Sequence, residues 1–252
     1  MARESPAGAQ ARGVTVRGMK LFTREWGSGD RFAVLVHGAM SDSRNWRKVG
    51  PALADRGYHV VAVDLRGHGH SPRAEAYTAE LLAHDVVDTV HGRPELIMGH
   101  SLGGLAVSLA VERLAPKRAV YIDPAFSSPA IMRWQRMLAP AFLRNLSRAS
   151  AARIAKRNPR WDPADVAIEV ETFKAFDHAV IPVLINPGSL RAPQRMHVPS
   201  LVVLADRSQL VKRALADRLR AAGFEVRIVR GSGHVVNRDD FDGFMRALDG
   251  WI

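Results

Sequence analysis

The sequence predicts a doubly wound α/β domain on a mostly parallel sheet, and three observations carry that expectation. Short continuous apolar runs recur along the chain, among them Phe32-Ala33-Val34-Leu35-Val36 and Tyr58-His59-Val60-Val61-Ala62-Val63. Such runs are the pattern of strands buried on both faces. Segments of helical length lie between them, so strand and helix alternate. A third run, Glu95-Leu96-Ile97-Met98, passes through Gly99-His100-Ser101-Leu102-Gly103-Gly104 into a small-residue helical stretch. A strand reversing into a helix through Gly-x-Ser-x-Gly lifts its serine above the sheet edge, because the glycines remove side chains that would collide.

The chain of 252 residues is long enough for one domain with a substantial core. Residues 1–13 are small and polar, lack the apolar stretch of a signal peptide, and are expected to form a loose tail. Two short strands are expected at 14–16 and 20–26, followed by the turn Gly27-Ser28-Gly29-Asp30. The strand 32–36 ends in His37-Gly38-Ala39-Met40, before a helix over 46–56. The strand 58–63 ends in Asp64-Leu65-Arg66-Gly67-His68-Gly69-His70-Ser71, before a helix over 78–90. After the serine turn come a helix over 105–114 and a sixth strand over 119–123.

The alternation breaks over 126–198, where Trp134, Met137, Leu138, Phe142, Leu143 and Leu146 are interleaved with arginines. Asp162 is placed to cap a helix with Pro163 in its first turn, running towards Phe176. Strand and helix resume with a strand at 201–206, a helix over 209–222, a strand at 225–229, Gly231-Ser232-Gly233-His234, and a helix over 239–248. This predicts eight strands with helices on both faces, formed by a core of residues 14–125 and 199–252. The insertion of about seventy residues at 126–198 is too long for a simple connection and is expected to be a helical cap.

A net charge of +11 and a pI near 10.9 raise nucleic-acid binding. No recognised binding motif accompanies the charge, and arginine is spread through many segments, so a solvated basic surface is expected and nucleic acid is not. Arg133, Arg136, Arg144, Arg148, Arg153, Lys156, Arg157 and Arg160 recur at helical spacing, with no acidic residue among them. They are suited to steering an anionic or carrier-bound substrate, with a membrane surface as a weaker alternative. No apolar run approaches a membrane span. The absence of cysteine excludes disulfides and thiol chemistry and is compatible with a reducing cytoplasm, the expected location. His68 and His70 have a metal-compatible spacing but no accompanying carboxylate cluster, so neither metal nor cofactor is expected.

A serine hydroxyl is a poor nucleophile at neutral pH, so Ser101 needs a base within hydrogen-bond reach. His234, on a loop after the last strand, is the candidate. His37 is expected to support the loop that follows it, and His100 to pack beside the serine turn.

Taken together, four markers in order resemble the α/β-hydrolase superfamily over roughly residues 14–252. They are His37-Gly38-Ala39-Met40, the Asp64 to Ser71 loop, Gly99-His100-Ser101-Leu102-Gly103-Gly104 and Gly233-His234. The resemblance implies a cofactor-independent serine hydrolase with an acyl-Ser101 intermediate, His234 as base, and the backbone N–H groups of Leu102 and Ala39 as oxyanion hole. An ester, thioester or lactone of a small molecule is the substrate class implied. C–C bond hydrolysis, acyl transfer, or a binding protein with a degenerate triad are the alternatives. Serine at the elbow argues against the epoxide hydrolase and haloalkane dehalogenase branches, which use aspartate there. The family usually carries its acid as Gly-x-x-Asp after the seventh strand, but this chain reads Ala205-Asp206-Arg207-Ser208. Asp206, two residues earlier, is the expected acid, with Asp123 at the end of the sixth strand as the alternative and a bare Ser–His dyad as the remainder. Substrate identity and oligomeric state lie beyond these motifs.

Overall fold

The computed structural model describes residues 19–127, 150–186 and 188–252. The expected tail at 1–13, the strand at 14–16, and the part of the insertion holding Trp134 to Leu146 and Arg133 to Arg148 lie outside the described residues.

Seven strands form one sheet in the order β1-β3-β2-β4-β5-β6-β7. They are β1 (Thr23–Trp26), β2 (Arg31–Val36), β3 (Tyr58–Val63), β4 (Leu96–His100), β5 (Arg118–Ile122), β6 (Ser200–Ala205) and β7 (Glu225–Val229). Only β1 is antiparallel, pairing with β3 in the register Thr23↔Val63; every other pairing is parallel. The expected count was eight, and the described residues hold seven.

Successive side chains of a strand point to opposite faces, and this alternation divides the core. Val34, Val36, Ala119, Tyr121, Val202 and Leu204 join one buried cluster, while Ala33, Leu35, Val120, Ile122, Leu201 and Val203 join the other. The first face is covered by α2 (Ala79–Thr89) and α3 (Leu102–Leu114). The second is covered by α1 (Val49–Ala54) and by Phe244 and Leu248 near the C-terminus. Apolar runs without polar alternation are therefore required, since neither face of the central strands meets water.

Within the insertion, α4 (Ala151–Arg157), α5 (Pro163–Ala175) and α6 (Ile181–Ile185) are helical. Asp162 caps α5 by accepting the Ala164 N–H at 2.9 Å, with Pro163 in the first turn. Three helices differ from the sequence expectation. The helix expected over 46–56 is split into a 3-10 turn at Ser43–Trp46 and α1, because the Asp42 side chain caps the turn through the Arg44 N–H. After β6 the helix starts later, as α7 (Arg213–Ala221). After β7 a short α8 (Val236–Asp239) precedes α9 (Phe241–Ala247), and the Asp240 side chain caps the second of these. All parallel strands end at the same edge, so the loops after β2, β4, β5, β6 and β7 converge there, where open α/β sheets bind ligands.

Candidate active site

At that edge β4 runs directly into α3 through Ser101, whose φ is 51° and ψ −115°. A non-glycine residue there is strained by about 1–3 kcal/mol, and the strain is held by neighbours on both sides. Ser101 N–H donates to the Ile122 carbonyl at 3.0 Å, and its carbonyl accepts from Ala125 N–H at 2.9 Å. A Cβ on Gly99 would stand 2.5 Å from the Gly103 carbonyl oxygen, and one on Gly103 would collide with the Val36 and His37 carbonyls. The glycines thus let strand, loop and helix close on one point.

Ser101 Oγ lies 3.0 Å from His234 Nε2, and His234 Nδ1 lies 2.6 Å from Asp123 Oδ2. The carboxylate fixes the tautomer, with Nδ1 donating to Asp123 and Nε2 facing the serine. Asp123 is buried and has φ 37°, a left-handed conformation that turns its side chain off the end of β5 towards the His234 loop. Burial alone would push its carboxyl up, but hydrogen bonds from His234 and Ser208, with the charge of His234, outweigh this and hold it below the usual value.

Asp206, the acid expected first, is not brought to His234. The chain leaves the extended conformation after Ala205, and residues 206 and 207 form a turn. Side-chain alternation therefore stops there, and Asp206 Oδ1 faces Arg230 Nη1 at 3.4 Å instead. Ser208 stands at the fourth position of Ala205-Asp206-Arg207-Ser208, where the family pattern has its acid, and its hydroxyl helps hold the Asp123 carboxyl down. The carboxylate that meets His234 comes from the end of β5, the strand next to β6 in the sheet.

Three buried histidines brace these loops. His100 Nε2 donates to the His234 carbonyl at 2.9 Å, and burial pushes its imidazole down to about 3, so the ring is neutral. His37 Nδ1 donates to the Gly38 carbonyl at 2.7 Å while Nε2 accepts the Leu65 N–H at 3.0 Å, which fixes the loop containing Ala39. His68 donates through Nδ1 to the Arg66 carbonyl at 2.9 Å and stacks on Phe176, while His70 is exposed and lies beside the Phe22 ring. These two histidines serve different contacts. Asp64 accepts the Ser43 and His70 N–H groups at 2.6 and 2.8 Å. Asp239 joins the His234 loop to the insertion, accepting Gly233 N–H at 2.7 Å and Trp161 Nε1–H at 2.9 Å.

A cleft of about 480 Å3 opens over Ser101 and His234. Ala39 lines it, and Leu102, at the start of α3, has an N–H with no carbonyl inside the helix to receive it. Phe173, Leu184, Leu190 and Leu210 give the cleft an apolar wall. Ser41, Asn45, Glu169 and Arg238 also line it; sequence reasoning passed over all four, and only Arg238, a basic residue four positions after His234, left a local signal. No helix among the described residues is long and apolar enough to cross a membrane.

A Ser–His–Asp chain on converging loops of a parallel sheet defines a class of α/β enzymes, and the comparisons agree with it. Residues 33–247 match the alpha/beta hydrolase family, and the chain belongs to that family. It is 37% identical over 129 residues to epoxide hydrolase A of Mycobacterium tuberculosis (strain ATCC 25618 / H37Rv), spanning 48% of this chain and 39% of that protein. It is 28% identical over 232 residues to esterase YbfF of Escherichia coli (strain K12), spanning 85% and 90% of the two chains. Several curated relatives, the epoxide hydrolase among them, are matched over less than two-fifths of their own length. Among solved structures, E-2-(acetamidomethylene)succinate hydrolase superposes with a TM-score of 0.73 at 24% identity, over 92% of this chain and 94% of that one. That likeness shows the fold.

Proposed function

We propose that this protein hydrolyses a carboxylic ester, thioester or lactone of a small molecule through an acyl-Ser101 intermediate. The observation that carries the reading is the unbroken hydrogen-bond chain Ser101 Oγ, His234 Nε2, His234 Nδ1, Asp123 Oδ2. Ser101 Oγ attacks the carbonyl carbon as its proton passes to His234 Nε2. Asp123 stabilises the resulting imidazolium through Nδ1–H. The tetrahedral oxyanion is met by the N–H groups of Leu102 and Ala39, each such donor being worth about 3 kcal/mol in the transition state. As the carbon–oxygen or carbon–sulfur bond breaks, His234 returns its proton to the leaving group. Water then attacks the acyl carbon, His234 accepts its proton, and Ser101 leaves with a proton on Oγ and the product as a carboxylic acid.

The relatives include both esterases and epoxide hydrolases, and the elbow residue favours the ester reading. Serine attack on an epoxide carbon would form an ether, which a histidine and water do not cleave, whereas attack on an acyl carbon forms an ester, which they do. The bond from His234 to Asp123 likewise favours turnover over a binding protein with a degenerate triad. Labelling with a fluorophosphonate tests the proposal, beside an ester and thioester panel run on wild type and Ser101→Ala. Labelling at Ser101 with turnover lost in the variant is expected; an unlabelled, folded protein overturns the reading.

A further inference from the structure

Part of the cleft lining is polar in a way the acyl-transfer chemistry does not use. Ser41 and Asn45 come from the loop after β2, Glu169 from α5, and Arg238 from α8. All four line the cleft that holds Ser101 and His234. Ser41, Asn45 and Arg238 are more than nine-tenths buried. Among the described residues, Ser41 Oγ, both polar side-chain atoms of Asn45 and Arg238 Nη2 have no hydrogen-bond partner. A buried polar group left unpaired is destabilising, and native folds keep few of them without a reason. Three such side chains lining a single cleft form a place where a ligand supplies the missing partners.

Charge decides which kind of ligand. Arg238 Nη1 donates to Glu169 Oε2 at 2.7 Å, and Arg238 Nε lies 3.5 Å from Asp165 Oδ1. Arg47 forms a two-point contact with Asp165 at 2.7 and 3.0 Å. Arg47 also reaches Asp162 at 3.1 Å, so among the described residues Arg47 and Arg238 face three carboxylates and carry no unmatched positive charge, while the exposed Arg207 lines the cleft from the loop after β6. A substrate carboxylate would add an anion beside Glu169 with no countercharge, in a place where charge is expensive. An alkyl group would leave the polar atoms unpaired.

We propose that Ser41, Asn45 and Arg238 form a specificity subsite for a neutral group that both donates and accepts hydrogen bonds, such as a carboxamide, on one arm of the substrate. The apolar wall of Phe173, Leu184, Leu190 and Leu210 takes the other arm. The inference rests on the acyl-Ser101 reading for its reaction but not for its binding.

The test uses three esters that share an apolar arm and differ only in the end of the second arm: carboxamide, isosteric branched alkyl, or carboxylate. Values of kcat/KM are measured on wild type, Asn45→Leu and Ser41→Ala, and Kd values on Ser101→Ala, with folding of each checked by circular dichroism. Wild type is expected to favour the carboxamide at least about tenfold over both others, since a site built for hydrogen bonding rejects analogues that lack the group. At least one of Asn45→Leu and Ser41→Ala is expected to shrink that preference to less than about threefold. Equal rates for the carboxamide and alkyl esters, a best rate for the carboxylate, or an unchanged preference in both variants overturns the subsite. If wild type cleaves none of the three, the subsite is judged on Ser101→Ala: a carboxamide preference in Kd upholds it while the hydrolase reading fails, and absence of binding or of preference overturns it.

Discussion

Replacing Asp123 with asparagine separates the proposed triad of Ser101, His234 and Asp123 from the one that motif spacing suggests. Asparagine keeps the size of the side chain and tolerates the left-handed backbone at φ 37°, so the fold is expected to hold. What changes is the 2.6 Å contact with His234 Nδ1. An amide presents either its own N–H, which forces the proton onto Nε2 where the base must be free, or a neutral oxygen that stabilises the imidazolium poorly. In other Ser–His–Asp enzymes the loss of the acid lowers kcat by about 10^4-fold, and at about 1.4 kcal/mol per decade this is some 5–6 kcal/mol of transition-state stabilisation. A loss of that order is expected for Asp123→Asn in steady-state ester hydrolysis. Asp206→Asn is the control. Among the described residues its carboxylate pairs with the exposed Arg230 at 3.4 Å, a surface pair worth about 0–1 kcal/mol, so its rate is expected to stay within about threefold of wild type. Thermal unfolding of both variants checks that the comparison concerns chemistry. Asp123→Asn retaining its rate to within tenfold, or Asp206→Asn falling as far, would refute the assignment.

Further expectations follow from neighbouring contacts. Ser208→Ala removes a hydroxyl that helps hold the Asp123 carboxyl down, so the carboxyl is expected to titrate higher and kcat to fall at acid pH more than at neutral pH. Gly103→Ala drives a Cβ into the Val36 and His37 carbonyls and is expected to cost the upper end of the roughly 1–3 kcal/mol of overpacking, measured by urea unfolding. His68 and His100 are each pushed by burial from 6.5 down to about 3, so the unfolded chain takes up their protons first as pH falls. Their contribution to stability is therefore complete above 6.5 and is lost as pH drops towards 3. His68→Asn keeps a donor for the Arg66 carbonyl but cannot titrate, and its unfolding free energy is expected to fall less steeply between pH 6 and 4, by about 1.4 kcal/mol per pH unit. A slope equal to wild type would count against a neutral buried His68.

Local chemistry made much of this protein legible before folding. Buried parallel strands need unbroken apolar runs, and the serine turn needs glycine where carbonyls crowd it; both requirements act over a few residues and leave their mark there. The same is true of the helix cap at Asp162 and of His234 on its glycine-rich turn. The carboxylate that meets His234 is different. Asp123 and Asp206 end adjacent parallel strands, each in correct chain order, and nothing within ten residues of either distinguishes them. The choice was made by the backbone at Asp123, turned by φ 37° towards a loop more than a hundred residues away, and by the turn at 206–207 that sends the other carboxylate to Arg230. The polar part of the cleft has the same origin, since Asn45, Glu169 and Arg238 belong to three elements far apart in the chain that only tertiary packing brings to one cavity. Spacing along the chain encodes backbone geometry; which side chains share a cavity is decided by tertiary packing, because their partners lie at separations that local spacing does not constrain.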